Sequence, residues 1–317
     1  MKRKLERFWG KVYFILKGHV FNPLWLPRVE RRHNRYKAIH EKNQMWLKKF
    51  TPYVENLKLG PVPTPGPDEN KIFSLWFQGE ENAPQLVKTC FKRLRDTYGD
   101  RFVVLDDKTL WDWISLPDYI HEKYRKGQII PAHFSDLCRI ELLLNHGGTW
   151  FDATDFLTSK MPQWVEDADF FMYGTGKYIN PFTFVQVCFI RSIKGHPLMK
   201  AWRDLNLHYW KEESEPFDYF TTSFLFRFLV EHNDEARALF EKTPQIDQDP
   251  THYLWHFAPK GTELSLTKPF SKEVYDRLTR DAFFQKTAYK SPNARNPIPG
   301  TMADYVVNNR PEVAVKK

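Results

Sequence analysis

Cysteine is scarce in this chain. Its 317 residues hold three, Cys90, Cys138 and Cys188, too widely spaced for a disulfide framework or a cysteine zinc site. An odd count of this kind fits a reducing compartment, with the thiols acting as small buried hydrophobes. Glycine is also sparse, at 14 residues, and no GxGxxG or GxxxxGK[ST] run occurs, so a dinucleotide or P-loop phosphate cradle is unsupported. No apolar run approaches the ~18 residues that span a bilayer. Val12–Leu16 is too short for a secretory core and no small-residue cleavage site follows it, so the expected location is cytoplasmic.

Charge is unevenly placed. Residues 1–60 carry 15 Lys and Arg against 4 Asp and Glu, a net of +11; the remainder carries 32 against 35, a net of −3. A near-neutral main body lacks the basic groove that nucleic acid requires, so no nucleic-acid partner is expected. Within the basic segment, Leu5, Phe8, Trp9, Val12, Ile15 and Leu16 recur at helical spacing, surrounded by Lys2, Arg3, Lys4, Arg7, Lys11 and Lys17. Such a helix suits an anionic membrane interface, or packs on the main body with its charges solvated. Residues 1–50 are thus expected on the inner face of the cell membrane. A second basic helix is expected from about Arg28 to Phe50. Gly60–Pro67 (GPVPTPGP) reads as a stiff linker, so residues 1–60, 61–69, 70–290 and 291–317 are expected as helical segment, linker, main domain and loose tail.

The main domain opens as strand, helix, strand: Lys71–Phe77, Pro84–Tyr98 and Phe102–Leu105, the start of a nucleotide-binding α/β half. Its most informative stretch is Pro131–Asp155, PAHFSDLCRIELLLNHGGTWFDATD. Leu137, Ile140, Leu143 and Leu144 mark a helix with Ser135 as its expected N-cap, and Gly147–Gly148 stop it. Thr149–Phe151 then form a strand that delivers Asp152 and Asp155. Asp136 and Arg139, three apart, share a helix face. A guanidinium suits a diphosphate, and two carboxylates at a strand end suit a hard divalent cation.

Ser135, Asp136, Arg139, Gly147, Gly148 and Asp152 together resemble the signature of glycosyltransferases with the GT-A fold, an α/β, Rossmann-like nucleotide-diphospho-sugar transferase. The run is similar to bacterial capsular polysaccharide synthesis proteins and to the related family of initiating mannosyltransferases and clostridial toxin glucosyltransferases. Those families follow the strand with Asp-x-Asp. Here the second acid's place holds Thr154, Asp155 comes one residue later, and the capsular branch often reads Asp-Ala-Thr. The resemblance implies transfer of a hexose from a UDP- or GDP-sugar to a glycan or lipid-linked acceptor, with retention of configuration. It further implies Mn²⁺ or Mg²⁺ held by Asp152 alone or with Asp155. A late histidine, His252 or His256, is a candidate to complete the metal shell.

Other roles rest on the same resemblance. Asp136 is expected on sugar or ribose hydroxyls and Arg139 on phosphate. Trp76 or Phe77 would stack on the base, with Gln78 at a polar edge. Lys290, or Lys286, would close over the diphosphate. Asp218, in Asp218-Tyr219-Phe220, either lies under the anomeric carbon or caps the next helix.

Overall fold

The computed structural model describes residue 12 and residues 28–66, 69–175, 183–254 and 266–309. The expected membrane helix at residues 5–17 and His256 lie outside the described residues.

Five strands form the central sheet, in the order β2-β1-β3-β6-β5. They are β1 (Ile72–Leu75), β2 (Phe102–Leu105), β3 (Gly148–Phe151), β5 (Phe170–Gly174) and β6 (Val185–Ser192). β1 runs parallel to β2 and β3, whereas β6 is antiparallel to both β3 and β5. A separate antiparallel pair joins β4 (Asp155–Leu157) to β7 (Phe284–Lys286). The fold is mixed α/β.

Side chains alternate across the sheet, as a strand's two-residue period requires. Phe73, Trp150, Phe170, Met172 and Ile190 enter one apolar cluster; Ile72, Phe151, Phe171, Tyr173 and Phe189 enter the opposite one. Helices cover both faces, which explains why the strands read as apolar runs rather than polar–apolar alternation. Helix α1 (Arg28–Leu47) precedes β1, α2 (Gln85–Tyr98) follows it, and α3 (Pro131–His146) precedes β3. After β6 come α4 (Pro197–Glu212) and α5 (Thr221–His232), and α6 (Met302–Asn308) follows β7.

α3 begins at Pro131, with Ile130 in the N-cap position. A proline fits the first turn, where its missing N–H has no helical partner to lose. Ser135 therefore does not cap the helix. It lies inside it, where its carbonyl and hydroxyl accept from Arg139. At the other end Gly147 and Gly148 take φ of +66° and +102°. A Cβ on Gly148 would stand 2.3 Å from the Lys71 carbonyl oxygen in the neighbouring chain segment. Only glycine lets β3 start this close to β1.

The terminal segments join the main body. Leu47, Phe50 and Val54 are buried in the cluster that holds Trp150. The Asn233 amide donates to the Val54 and Leu57 carbonyls at 2.8 and 2.9 Å, and Gln44 donates to Glu231 at 2.6 Å. Residues 28–59 thus share the domain's core instead of standing before a linker. The described part of the expected tail is also packed: α6 lies on α2, where the Thr89 hydroxyl donates to the Val307 carbonyl. The reason is physical in both cases. Most helical stability in a protein comes from docking an apolar face rather than from the helix alone.

His196 caps α4, its Nδ1 accepting from the Leu198 N–H at 3.2 Å, and its ring stacks on Phe170. Burial pushes its pKa down to about 4 from 6.5. Between those values the unfolded chain binds a proton that the folded chain refuses. The stability from this group is therefore complete above pH 6.5 and falls with pH, by about 1.4 kcal/mol per unit. Urea denaturation across this window should show His196→Asn, which keeps a capping acceptor, losing that part of the slope.

Candidate active site

The ends of β1 and β3, the first turns of α3, the start of α5 and the end of β7 surround a cavity of about 510 Å³. That volume suits a small-molecule ligand. Charged groups gather on one wall: Asp136, Arg139, Asp152 and Lys286.

Arg139 is the centre of this wall. One helix turn brings its Nη2 to 3.2 Å from Asp136, and Nη1 reaches Asp152 at 3.0 Å. Nη1 also donates to the Val187 carbonyl on β6, and the guanidinium lies 4.8 Å from the Trp150 ring centre. Its fork is thus committed to the protein, at only 6% exposure. Burial opposes its charge, but Asp152 and Asp136 outweigh that and hold its pKa above the ordinary value. Asp136 is pushed up by burial, against the pull of Arg139, and accepts a hydrogen bond from Thr222.

Asp152 closes the circuit. Its Oδ1 accepts from the Trp150 indole N–H at 2.9 Å as well as facing Arg139, and its Oδ2 accepts from Lys286 Nζ at 2.6 Å. Burial works to raise its pKa, yet Arg139 and Lys286 prevail and hold it below the usual carboxylate range.

Lys286 reaches this position through the β4–β7 pair, in which it stands directly opposite Asp155. Nζ is 3.2 Å from Asp155 Oδ1. Asp155 has no exposure, and its other oxygen accepts from the Asp152 backbone N–H at 3.2 Å. Burial pushes the Asp155 pKa up to about 7; Lys286 pulls it down and the Asp152 charge pushes it up again.

Among the sequence-predicted residues, Trp76, Asp136, Arg139, Asp152 and His252 line the cavity. The Trp76 indole nitrogen is buried without a hydrogen-bond partner. Asp155 lies behind Lys286 and not on the wall. Phe77 turns into the core against Phe134 and Tyr124. Gln78 offers its backbone carbonyl to Asn82 in a turn. Asp218 does not line the cavity; its carboxylate accepts from the Phe220 N–H as α5 begins. Lys290 is exposed above Tyr289, and it is Lys286 that enters the site.

Sequence reasoning missed Tyr36, Gln186 and Tyr219. The last adjoins the residue singled out, because the turn at Asp218 sends its neighbours to the cavity instead. Tyr36 had no signal at all, since α1 was read as a separate segment.

The divalent cation implied by the resemblance is a poor fit to these groups. A carboxylate offers about four lone-pair sites, and three of those on Asp152 are taken by Arg139, Trp150 and Lys286. Asp155 is sealed off. Among the described residues no three His, Cys, Asp or Glu side chains converge as a metal site. His252 lines the cavity, but burial and then the Lys286 charge lower its pKa to about 3, so it is a neutral wall residue.

Removing Arg139 leaves Asp136 without its ion-pair partner and Asp152 with Lys286 alone, in a largely buried wall. Breaking such a buried set costs on the order of 3–5 kcal/mol. Urea denaturation of Arg139→Ala should register a loss of that size.

Comparison with known proteins found the following similarities. The PaToxG glycosyltransferase structure aligns with 66% of this chain and 82% of its own, at a TM-score of 0.39 and 14% identity. The O-glycosyltransferase braB of Annulohypoxylon truncatum is 24% identical over 163 residues, 46% of this chain. That stretch is only 39% of the relative's length. The model of the capsular polysaccharide synthesis protein family matches residues 28–305, from the first residue of α1 into α6, and so takes in every residue of the charged wall. With that match over most of its length, the chain belongs to the capsular polysaccharide synthesis protein family.

Proposed function

We propose that this protein is a glycosyltransferase that moves a hexose from a nucleotide-diphosphate sugar to a hydroxyl of a glycan or lipid-linked acceptor, with retention, in surface polysaccharide synthesis. The observation that carries the reading is the charged wall of Asp136, Arg139, Asp152 and Lys286 in a cavity of about 510 Å³, in a chain of this family. The similarity to glycosyltransferases supports it.

The geometry suits the chemistry as follows. A nucleotide-diphosphate sugar has an aromatic base, a dianionic diphosphate and a polyhydroxyl ring. Trp76 presents its ring to the cavity for the base. Asp136 and Asp152, both on the wall, accept from sugar or ribose hydroxyls. Arg139 acts through them: its fork fixes both carboxylates, so they are organised before the donor arrives. Tyr36 and Tyr219 lend aromatic surface to the acceptor.

A thermal-shift panel of UDP- and GDP-hexoses tests this reading. A ligand at 100 times its Kd stabilises the native state by about 2.7 kcal/mol, a rise of several degrees for a domain of this size. One donor should raise the melting temperature, and Asp152→Asn should abolish the rise. No rise with any donor on folded protein points instead to a non-catalytic scaffold, the reading that the threonine at position 154 motivates.

The basic apolar stripe at residues 5–17 supports a second part of the reading: the protein meets a lipid-linked acceptor at an anionic membrane surface. Vesicle flotation should carry the full chain with anionic lipid and not with neutral lipid, and high salt should release it. Equal flotation with neutral vesicles defeats it.

A further inference from the structure

The cation that faces the cavity is built into the chain. Lys286 is placed by backbone pairing, opposite Asp155 in the β4–β7 ladder. The Thr287 N–H adds a bond to the Thr154 carbonyl at 3.0 Å, and the Thr287 hydroxyl another at 2.6 Å. These four residues therefore form one rigid corner, and the ammonium cannot swing aside without breaking two ion pairs.

The corner occupies the place of a metal. A divalent ion on Asp152 would sit ~2.1 Å from a carboxylate oxygen. Oδ2 already holds Lys286 Nζ at 2.6 Å, and Oδ1 holds Arg139 and Trp150. A dication added here would stand against two fixed positive charges. The second acid of an Asp-x-Asp pair is absent as well: position 154 is threonine, and its backbone carbonyl is spent on Thr287. The next acid, Asp155, is fully buried behind the lysine.

An ammonium has three N–H bonds. One of those on Lys286 is donated to Asp152, and a second lies on the side of Asp155, its ion-pair partner at 3.2 Å. No other hydrogen-bond or ion-pair partner of Nζ occurs among the described residues, and the side chain lines the cavity. The third N–H is free for an oxyanion.

We infer that Lys286 is the site's resident cation: it binds the diphosphate of the donor directly and stabilises it as a leaving group, so that transfer proceeds without a divalent metal. This inference rests on the glycosyltransferase reading. In the step, the bond between the anomeric carbon and the diphosphate oxygen breaks and its electron pair stays on the diphosphate. The acceptor hydroxyl oxygen bonds the anomeric carbon, and its proton passes to the released diphosphate. Lys286 offsets the charge that builds on the leaving oxygen. Arg139 remains a positioning residue, because its own donors are engaged.

The test measures donor binding by calorimetry and donor turnover by hexose release, on the full chain, after EDTA treatment and again with added Mn²⁺. The donor is the one selected by the thermal-shift panel. Binding and turnover that are the same within twofold in both conditions, that drop at least 100-fold in Lys286→Met and recover in part in Lys286→Arg, support the inference. Turnover that needs Mn²⁺ in the wild type overturns it and leaves the glycosyltransferase reading intact. Failure to bind any donor in either condition overturns both. The wild-type comparison needs no variant, so a misfolded Lys286→Met does not blunt the test. Equal activity of a folded Lys286→Met also overturns the inference.

Discussion

The charged wall depends on one electrostatic arrangement: two cations, Arg139 and Lys286, share the carboxylate of Asp152 between them. Each cation also holds a second acid, Asp136 for the arginine and Asp155 for the lysine. In a buried wall an unpaired charge is costly, whereas alternation of sign gives each member an ion-pair partner. The groups come from four elements, so the chain must bring α3, β3, β4 and β7 together before any one of them is stable in place. Function and folding therefore draw on the same contacts.

The fold supplies those elements by ordinary means. A sheet covered on both faces puts the C-terminal ends of β1 and β3 at one rim, where ligands bind in open α/β sheets. Gly147 and Gly148 allow α3 to turn directly into β3, so Arg139 and Asp152 come from two consecutive elements and meet across a short chain separation. The β4–β7 pair is an addition outside the main sheet. It carries Lys286 from near the end of the chain into the same wall.

Domain organisation is tighter than the proline-rich stretch suggests. Helix α1 and the residues after it continue the core of the main body. Tyr36 on that helix contributes to the cavity.

Much of the site could be read from residue order alone. The helical spacing before Gly147, the paired glycines and the β-formers that follow defined the end of α3 and the strand β3 to within a residue, because these signals are local, whereas α3 starts at Pro131, ahead of the cap expected at Ser135. Asp136, Arg139 and Asp152 followed from the same run. What the sequence could not determine is which late residue would meet them. Lys286 and Lys290 lie four apart in one segment, and only the register of β7 against β4 turns the first inward. Asp155 looked like a second acid for a metal, yet pairing with β7 buries it behind that lysine. Asp218 sits beside Tyr219, and a turn stabilised by its own carboxylate sends the tyrosine to the cavity. Register and the burial it imposes are tertiary outcomes, fixed here by contacts between segments more than a hundred residues apart, and no local pattern encodes them.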